Sequence, residues 1–138
     1  MKKYIKIFVF LLLLVTITGC DNIFNSKPKV EKMVNVIERT NDAISSYING
    51  NISCSELSKK LEDISDYCSS FEDEAKQILK DDELNASRVG TLCSKVFSMS
   101  YDASRDAIKD KYGMKKEYDY SYWEEKRNSI NEYLKYFK

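Results

Sequence analysis

The chain has 138 residues, with 22 basic and 22 acidic side chains and no histidine; that length supports one hydrophobic core. The missing histidine removes the usual general base near neutral pH, the commonest zinc ligand and the Glu-x-x-His motif of di-iron bundles, and the balanced charge offers no broad basic face for nucleic acid. Four glycines and one proline are too few for a sandwich or barrel, which needs a turn signal about every 8 to 12 residues, so the composition predicts an all-α chain.

Lys2, Lys3 and Lys6 supply a positive N-terminal segment, and Ile7 to Val15 follow as nine consecutive apolar residues. That run falls short of the ~20 residues a helix needs to span a bilayer, so it reads as an export signal. It ends at Ile17-Thr18-Gly19-Cys20. An aliphatic residue, a small one and glycine directly before cysteine resemble the lipobox of bacterial lipoproteins. The resemblance covers residues 1–20 alone. It implies diacylglyceryl transfer to the Cys20 thiol, removal of residues 1–19 as a signal peptide, and a mature chain held by lipid on the outward face of the cell membrane. Two plainer readings stand beside it: an ordinary secretory signal in which Cys20 is incidental, and a short uncleaved helix in the membrane. An ordinary cleavage site wants small residues at both flanking positions, and Ile17 does not fit that pattern. Cleavage takes away three lysines and no acid, leaving 19 basic and 22 acidic side chains, a net charge of −3.

Residues 20–27 form the lipidated cysteine and a polar tether, whose seven residues Asp21 to Lys27 reach about 25 Å when extended. Residues 28–138 are then one helical domain. Pro28 suits a first helical turn, and Val30, Met33, Ile37, Thr40, Ile44 and Tyr47 recur at spacings of three and four before Asn49-Gly50 stops the helix. Ser53 and Glu56 offer a capping box for a second helix, with Ile52 placed to pack on Leu57. Its seam runs Leu57, Leu61, Ile64, Cys68, Phe71, Ala75 and Ile78.

The polar run Lys80 to Glu83 predicts a turn, after which Asn85 is expected to cap a third helix and Leu84 to staple onto Val89. Val89, Leu92, Val96, Met99 and Ala103 make its stripe, with Ile108 near the end and Tyr112-Gly113 as terminator. Gly90 weakens this helix unless it permits a close helix contact. Ser121 and Glu124 offer a second capping box for a shorter last helix, whose stripe is Trp123, Ile130, Leu134 and Phe137, with Arg127 at the remaining seam position. Short connections make sequential helices antiparallel, so the expected fold is an up-down-up-down bundle of four helices.

Cys54, Cys68 and Cys93 remain after lipidation, an odd number for an exported chain. Cys54 and Cys68 lie about 21 Å apart along one continuous helix and cannot join. Folding the third helix back brings Cys93 near the level of Cys68, which predicts a bridge between them; the alternative is two buried thiols in the seam. Cys54 stands at a helix start, where free amides lower a thiol's pKa, so it is a candidate reactive or intermolecular thiol or else an inert residue. No histidine or Cys-x-x-Cys supports catalysis by it. The adjacent acids Asp81-Asp82 and Glu124-Glu125 do not converge on one substrate atom. No phosphate loop, nucleophile elbow or calcium loop occurs, so the sequence predicts no enzymatic activity, cofactor or metal.

From Lys111 onward the chain carries six of the nine tyrosines beyond Cys20, together with Trp123 and Phe137. Tyrosine and tryptophan combine large contact area with a polar tip, so Tyr118, Tyr120, Tyr122 and Trp123 are candidate partner-binding residues; the alternative is that most of these rings pack the fourth helix. Alternation with Glu117, Asp119 and Ser121 keeps the three tyrosines off one helical face, and at least one is expected in solvent. The first functional expectation is a non-enzymatic, lipid-anchored module that binds an envelope or extracellular protein. Two others are a protective lipoprotein that blocks a toxin, phage or conjugative element, and a carrier of an apolar ligand.

Overall fold

The computed structural model describes residues 27–137. The lipobox, Cys20 and most of the tether lie outside those residues, and the side chains of Val30 and Ile78 lie outside the described side chains. Four main helices follow in order: α1 (Lys27–Ile48), α2 (Cys54–Ile78), α3 (Glu83–Lys111) and α4 (Tyr120–Asn131), with one further turn, α5 (Leu134–Phe137). They form an antiparallel all-α bundle in which α2 and α3 make the most extensive pairing and α1 packs on both α2 and α4.

Local chemistry accounts for the helix ends. Glu56 N–H donates to Ser53 Oγ at 3.2 Å, and Ser53 N–H donates to Glu56 Oε2 at 2.7 Å, the reciprocal pair of a capping box. The backbone amide of Ser53 thereby holds the Glu56 carboxyl below the usual carboxylate range. Gly50 at φ 73° closes the α1 end and Gly113 at φ 66° the α3 end. Both positions need the left-handed backbone that glycine adopts without a side-chain clash.

Two starts differ from expectation. Asp82 caps α3, accepting Asn85 N–H at 3.0 Å, and Leu84 is exposed where a staple was expected. Asp119 caps α4, accepting Tyr122 N–H at 3.0 Å, and Ser121 donates to the same carboxylate. In both cases an aspartate lies upstream of the proposed cap, and an ionised acceptor holds an orphan amide more strongly than a neutral side chain.

The stripes pack as spaced. Met33, Ile37 and Ile44 of α1, Leu57 and Leu61 of α2, Val89, Leu92 and Val96 of α3, and Trp123 and Ile130 of α4 are all buried. Thr40 is buried too, its hydroxyl donating to Val36 O at 2.7 Å. Cys68 and Cys93 are joined, their Cα atoms 5.6 Å apart, and the bridge ties the middle of α2 to α3. Cross-helix contacts agree on direction: Arg39 lies over the Tyr67 ring, Arg127 Nη1 donates to Ser45 Oγ, and Asn41 donates to Asn131. The starts of α1 and α3 therefore share one end of the bundle, and their C-termini share the other.

Gly90 faces α2, where an added Cβ would lie 3.3 Å from Glu72 Oε1 and 3.4 Å from Lys76 Cε. Those atoms are the ends of flexible, partly exposed side chains that pair with each other. They can yield, so Gly90→Ala is expected to raise stability by up to ~1 kcal/mol through helix propensity. Denaturant unfolding reads this directly, and a loss of stability would show that the contact is too tight to relax.

Candidate functional site

At the C-terminal end of α3 the chain reverses through Tyr112 to Asp119 and enters α4. The core spacing of α3 determines how that connection is held. From Val96 the steps to Met99, Ala103 and Asp106 are three, four and three, so the core stripe lands on an aspartate and not on Ile108. Asp106 is fully buried, while Ile108 is 54% exposed. A buried carboxylate is costly without hydrogen bonds. Here Glu117 N–H donates to Oδ1 at 2.7 Å and Tyr118 N–H to Oδ2 at 3.1 Å, fastening the connection to α3.

Asp102, Arg105 and Lys109 flank Asp106 at helical spacing and complete the cradle. Arg105 and Lys109 reach Glu117 Oε2 at 2.7 and 2.8 Å. The Lys109 hydrogen bond is the main cause that lowers the Glu117 pKa. Asp102 accepts the hydroxyls of Tyr118, at 3.0 Å, and of Tyr122. These two rings stack with centroids 4.2 Å apart. Burial first, then the bond to Asp102, pushes both phenols above their ordinary pKa. Removing the central acceptor orphans two backbone amides, so Asp106→Ala is expected to cost about 2 to 3 kcal/mol. Chemical unfolding measures the loss, and faster amide exchange at Glu117 and Tyr118 distinguishes a released connection from a general weakening.

Three of the four candidate contact residues turn inward. Trp123 is fully buried among Tyr47, Tyr118 and Tyr122, with centroid distances of 6.0, 6.3 and 5.3 Å, each edge to face. Among the described residues its Nε1 meets no hydrogen-bond acceptor, and the indole acts as a large apolar body. Tyr118 and Tyr122 are half-buried and committed to Asp102. Only Tyr120 is exposed, at 54%, with its ring edge on Tyr47. Trp123, being fully buried, offers no contact surface itself, and the half-buried Tyr118 and Tyr122 build the scaffold beside it.

Residues outside the candidate set supply the rest of this end. Ile108, Tyr112 and Met114 join Tyr120 as exposed large apolar side chains. Lys115 and Lys116 line an open groove of about 360 Å³ with Tyr47, Tyr118 and Tyr120. Lys116 donates to the Tyr47 hydroxyl at 3.4 Å and lies 3.6 Å from Asp110. The displacement of Ile108 from the core stripe was available in the residue spacing; Tyr47 was placed on the α1 stripe, and no local signal tied it to this groove.

Cys54 falls on the inert side of its two readings. It begins α2 but is buried, its thiol 3.5 Å from Ala103 O, and burial pushes its pKa up. The helix terminus does not prevail because the thiol points into the bundle, where the neutral form is favoured. A buried, protonated thiol is the inert alternative and not the reactive one.

Among the described residues, no cluster of three or more cysteine, aspartate or glutamate side chains is arranged to hold a metal ion, and no helix is long and apolar enough to cross a membrane. Comparison of the chain with protein families, curated proteins and solved structures finds no match.

Proposed function

We propose that this chain is a lipid-anchored bacterial protein, facing outward from the cytoplasm, that acts by binding another protein and carries out no reaction of its own. Ile17-Thr18-Gly19-Cys20 supports the anchor. The observation that carries the binding reading is the gathering of exposed Ile108, Tyr112, Met114 and Tyr120 at one end of the bundle. That end is remote from the start of α1, to which the tether connects. α1 has 22 residues, a length of about 33 Å at 1.5 Å per residue, so the apolar end projects beyond the anchored one. Exposed tyrosines and a methionine match the enrichment of aromatic residues and methionine at protein contact surfaces.

Two measurements test this reading. Cys20→Ser is expected to leave the chain unprocessed or released from the membrane, because one short apolar run does not anchor stably; normal maturation with normal membrane retention would overturn the anchor. Joint replacement Tyr112→Ala and Tyr120→Ala is expected to weaken partner association by ~2 kcal/mol or more. Stability should move by no more than about 0.5 kcal/mol per exposed site. If the same proteins co-purify in equal amount with the double variant and the unaltered anchored chain, this end is not the contact surface.

A further inference from the structure

A second surface lies along the side of the bundle, between the solvent faces of α2 and α3. The α2 bank carries Glu62 and Asp66 one turn apart, among serines, and the α3 bank carries Phe97 and Tyr101 one turn apart. Together they frame an open groove of about 230 Å³. Phe97 is 64% and Tyr101 62% exposed. Single exposed apolar residues are ordinary on a protein surface. These two, however, continue through Ser104 to Ile108 at steps of four, three and four, the same spacing that builds the buried stripes. α3 thus has a second face, apolar but for Ser104, that none of the described helices covers.

The charges beside that face are unmatched. Among the described residues no lysine or arginine pairs with Glu62 or Asp66, and no cation or other ring lies against Phe97 or Tyr101. Elsewhere on the surface the pattern differs, since Arg39, Arg88 and Lys126 each cover a tyrosine ring. An occupant must therefore bring an apolar ridge for Phe97, Tyr101 and Ile108 and cations for the two carboxylates. Arginine meets both demands, because its guanidinium pairs with carboxylate and stacks on an aromatic face. An amphipathic helix lays such a ridge into a groove between two others. Anionic headgroups would be repelled by Glu62 and Asp66, which disfavours a lipid surface.

We propose that the groove between α2 and α3 is a docking site for a basic amphipathic helix of a partner protein, its apolar ridge on Phe97 and Tyr101 and its arginines or lysines on Glu62 and Asp66. Ile108 is shared with the apolar end of the bundle, so one partner can occupy both surfaces. The groove stands as a separate claim: end binding can persist when groove docking fails, and the reverse also holds. The chain's own exposed basic stretch, Lys111 to Lys116, lies mostly beyond the end of α3 and offers no helical ridge, so that stretch of a second copy is not the occupant.

The test uses the full-length chain in nanodiscs of zwitterionic lipid, which leave a cationic probe no anionic membrane to bind. Two labelled helical peptides share one leucine face, one flanked by arginine and the other by glutamate, and fluorescence polarisation compares them against empty nanodiscs. The arginine-flanked peptide is expected to bind at least about tenfold more tightly, a difference of about 1.4 kcal/mol. Glu62→Lys with Asp66→Lys should reverse that order, and Phe97→Ser with Tyr101→Ser should weaken binding of the arginine-flanked peptide. Tyr112→Ala with Tyr120→Ala should leave it unchanged. Equal affinity of the two peptides for the unaltered chain would overturn the proposal without recourse to any variant. So would indifference to charge reversal in a variant with unaltered helicity, or self-association through this groove in sedimentation.

Discussion

Truncating Trp123 to alanine is expected to remove roughly 3 to 5 kcal/mol of folding free energy, the range for large aromatic side chains deleted from a core. The ring is fully buried and three tyrosines stand edge to face around it. Its loss opens a cavity where the start of α4 meets α1 and the connection, among tyrosines of which Tyr118 and Tyr122 are held in place by Asp102. Such a cost is a large share of the ~5 to 15 kcal/mol that holds a domain of this kind together. Because this is the only tryptophan in the chain, unfolding must be followed by circular dichroism and not by indole fluorescence. Loss of less than ~1 kcal/mol would mean that the indole is not part of the core. The exposed neighbour Tyr120 provides the contrast, since its truncation should leave the folding transition nearly unmoved.

Removing the bridge by Cys68→Ala and Cys93→Ala is expected to cost about 3 to 4 kcal/mol. The two cysteines are 25 positions apart, and the bond withdraws the corresponding loop entropy from the unfolded chain. Alanine, unlike serine, places no new hydroxyl among the buried side chains that surround both cysteines. Reductant applied to the unaltered chain should lower its unfolding midpoint similarly, and applied to the double variant it should change nothing. Peptide mapping without reduction, on protein recovered from an oxidising compartment, should recover the two cysteines in one linked fragment. Finding both thiols free there would remove the bridge and its share of the stability.

The helices and their order were legible because the signals that specify them are local. Ser53 and Glu56 lie three residues apart, and the seam from Leu57 to Ala75 repeats at spacings fixed by 3.6 residues per turn. Even the two misplaced caps involved short shifts, from Asn85 to Asp82 and from Ser121 to Asp119. The Cys68–Cys93 pairing followed from the same geometry, since two helices of known length joined by a short turn leave little freedom in which levels meet.

The sequence by itself determined that the chain forms amphipathic helices, their order and their approximate bounds, and which level of α3 lies beside Cys68. Whether Tyr118 and Tyr122 contact solvent or core was decided only in three dimensions. Their environment depends on where the connection after Gly113 folds back, and that is set by Asp106, whose partners Glu117 and Tyr118 lie 11 and 12 residues away. Cys54 likewise owes its burial to Ala103, 49 residues along the chain, which no helix-start rule contains. The exposed Phe97 and Tyr101 became a groove only when α3 lay beside Glu62 and Asp66. Periodicity states which residues share a face; packing alone states what, if anything, that face meets.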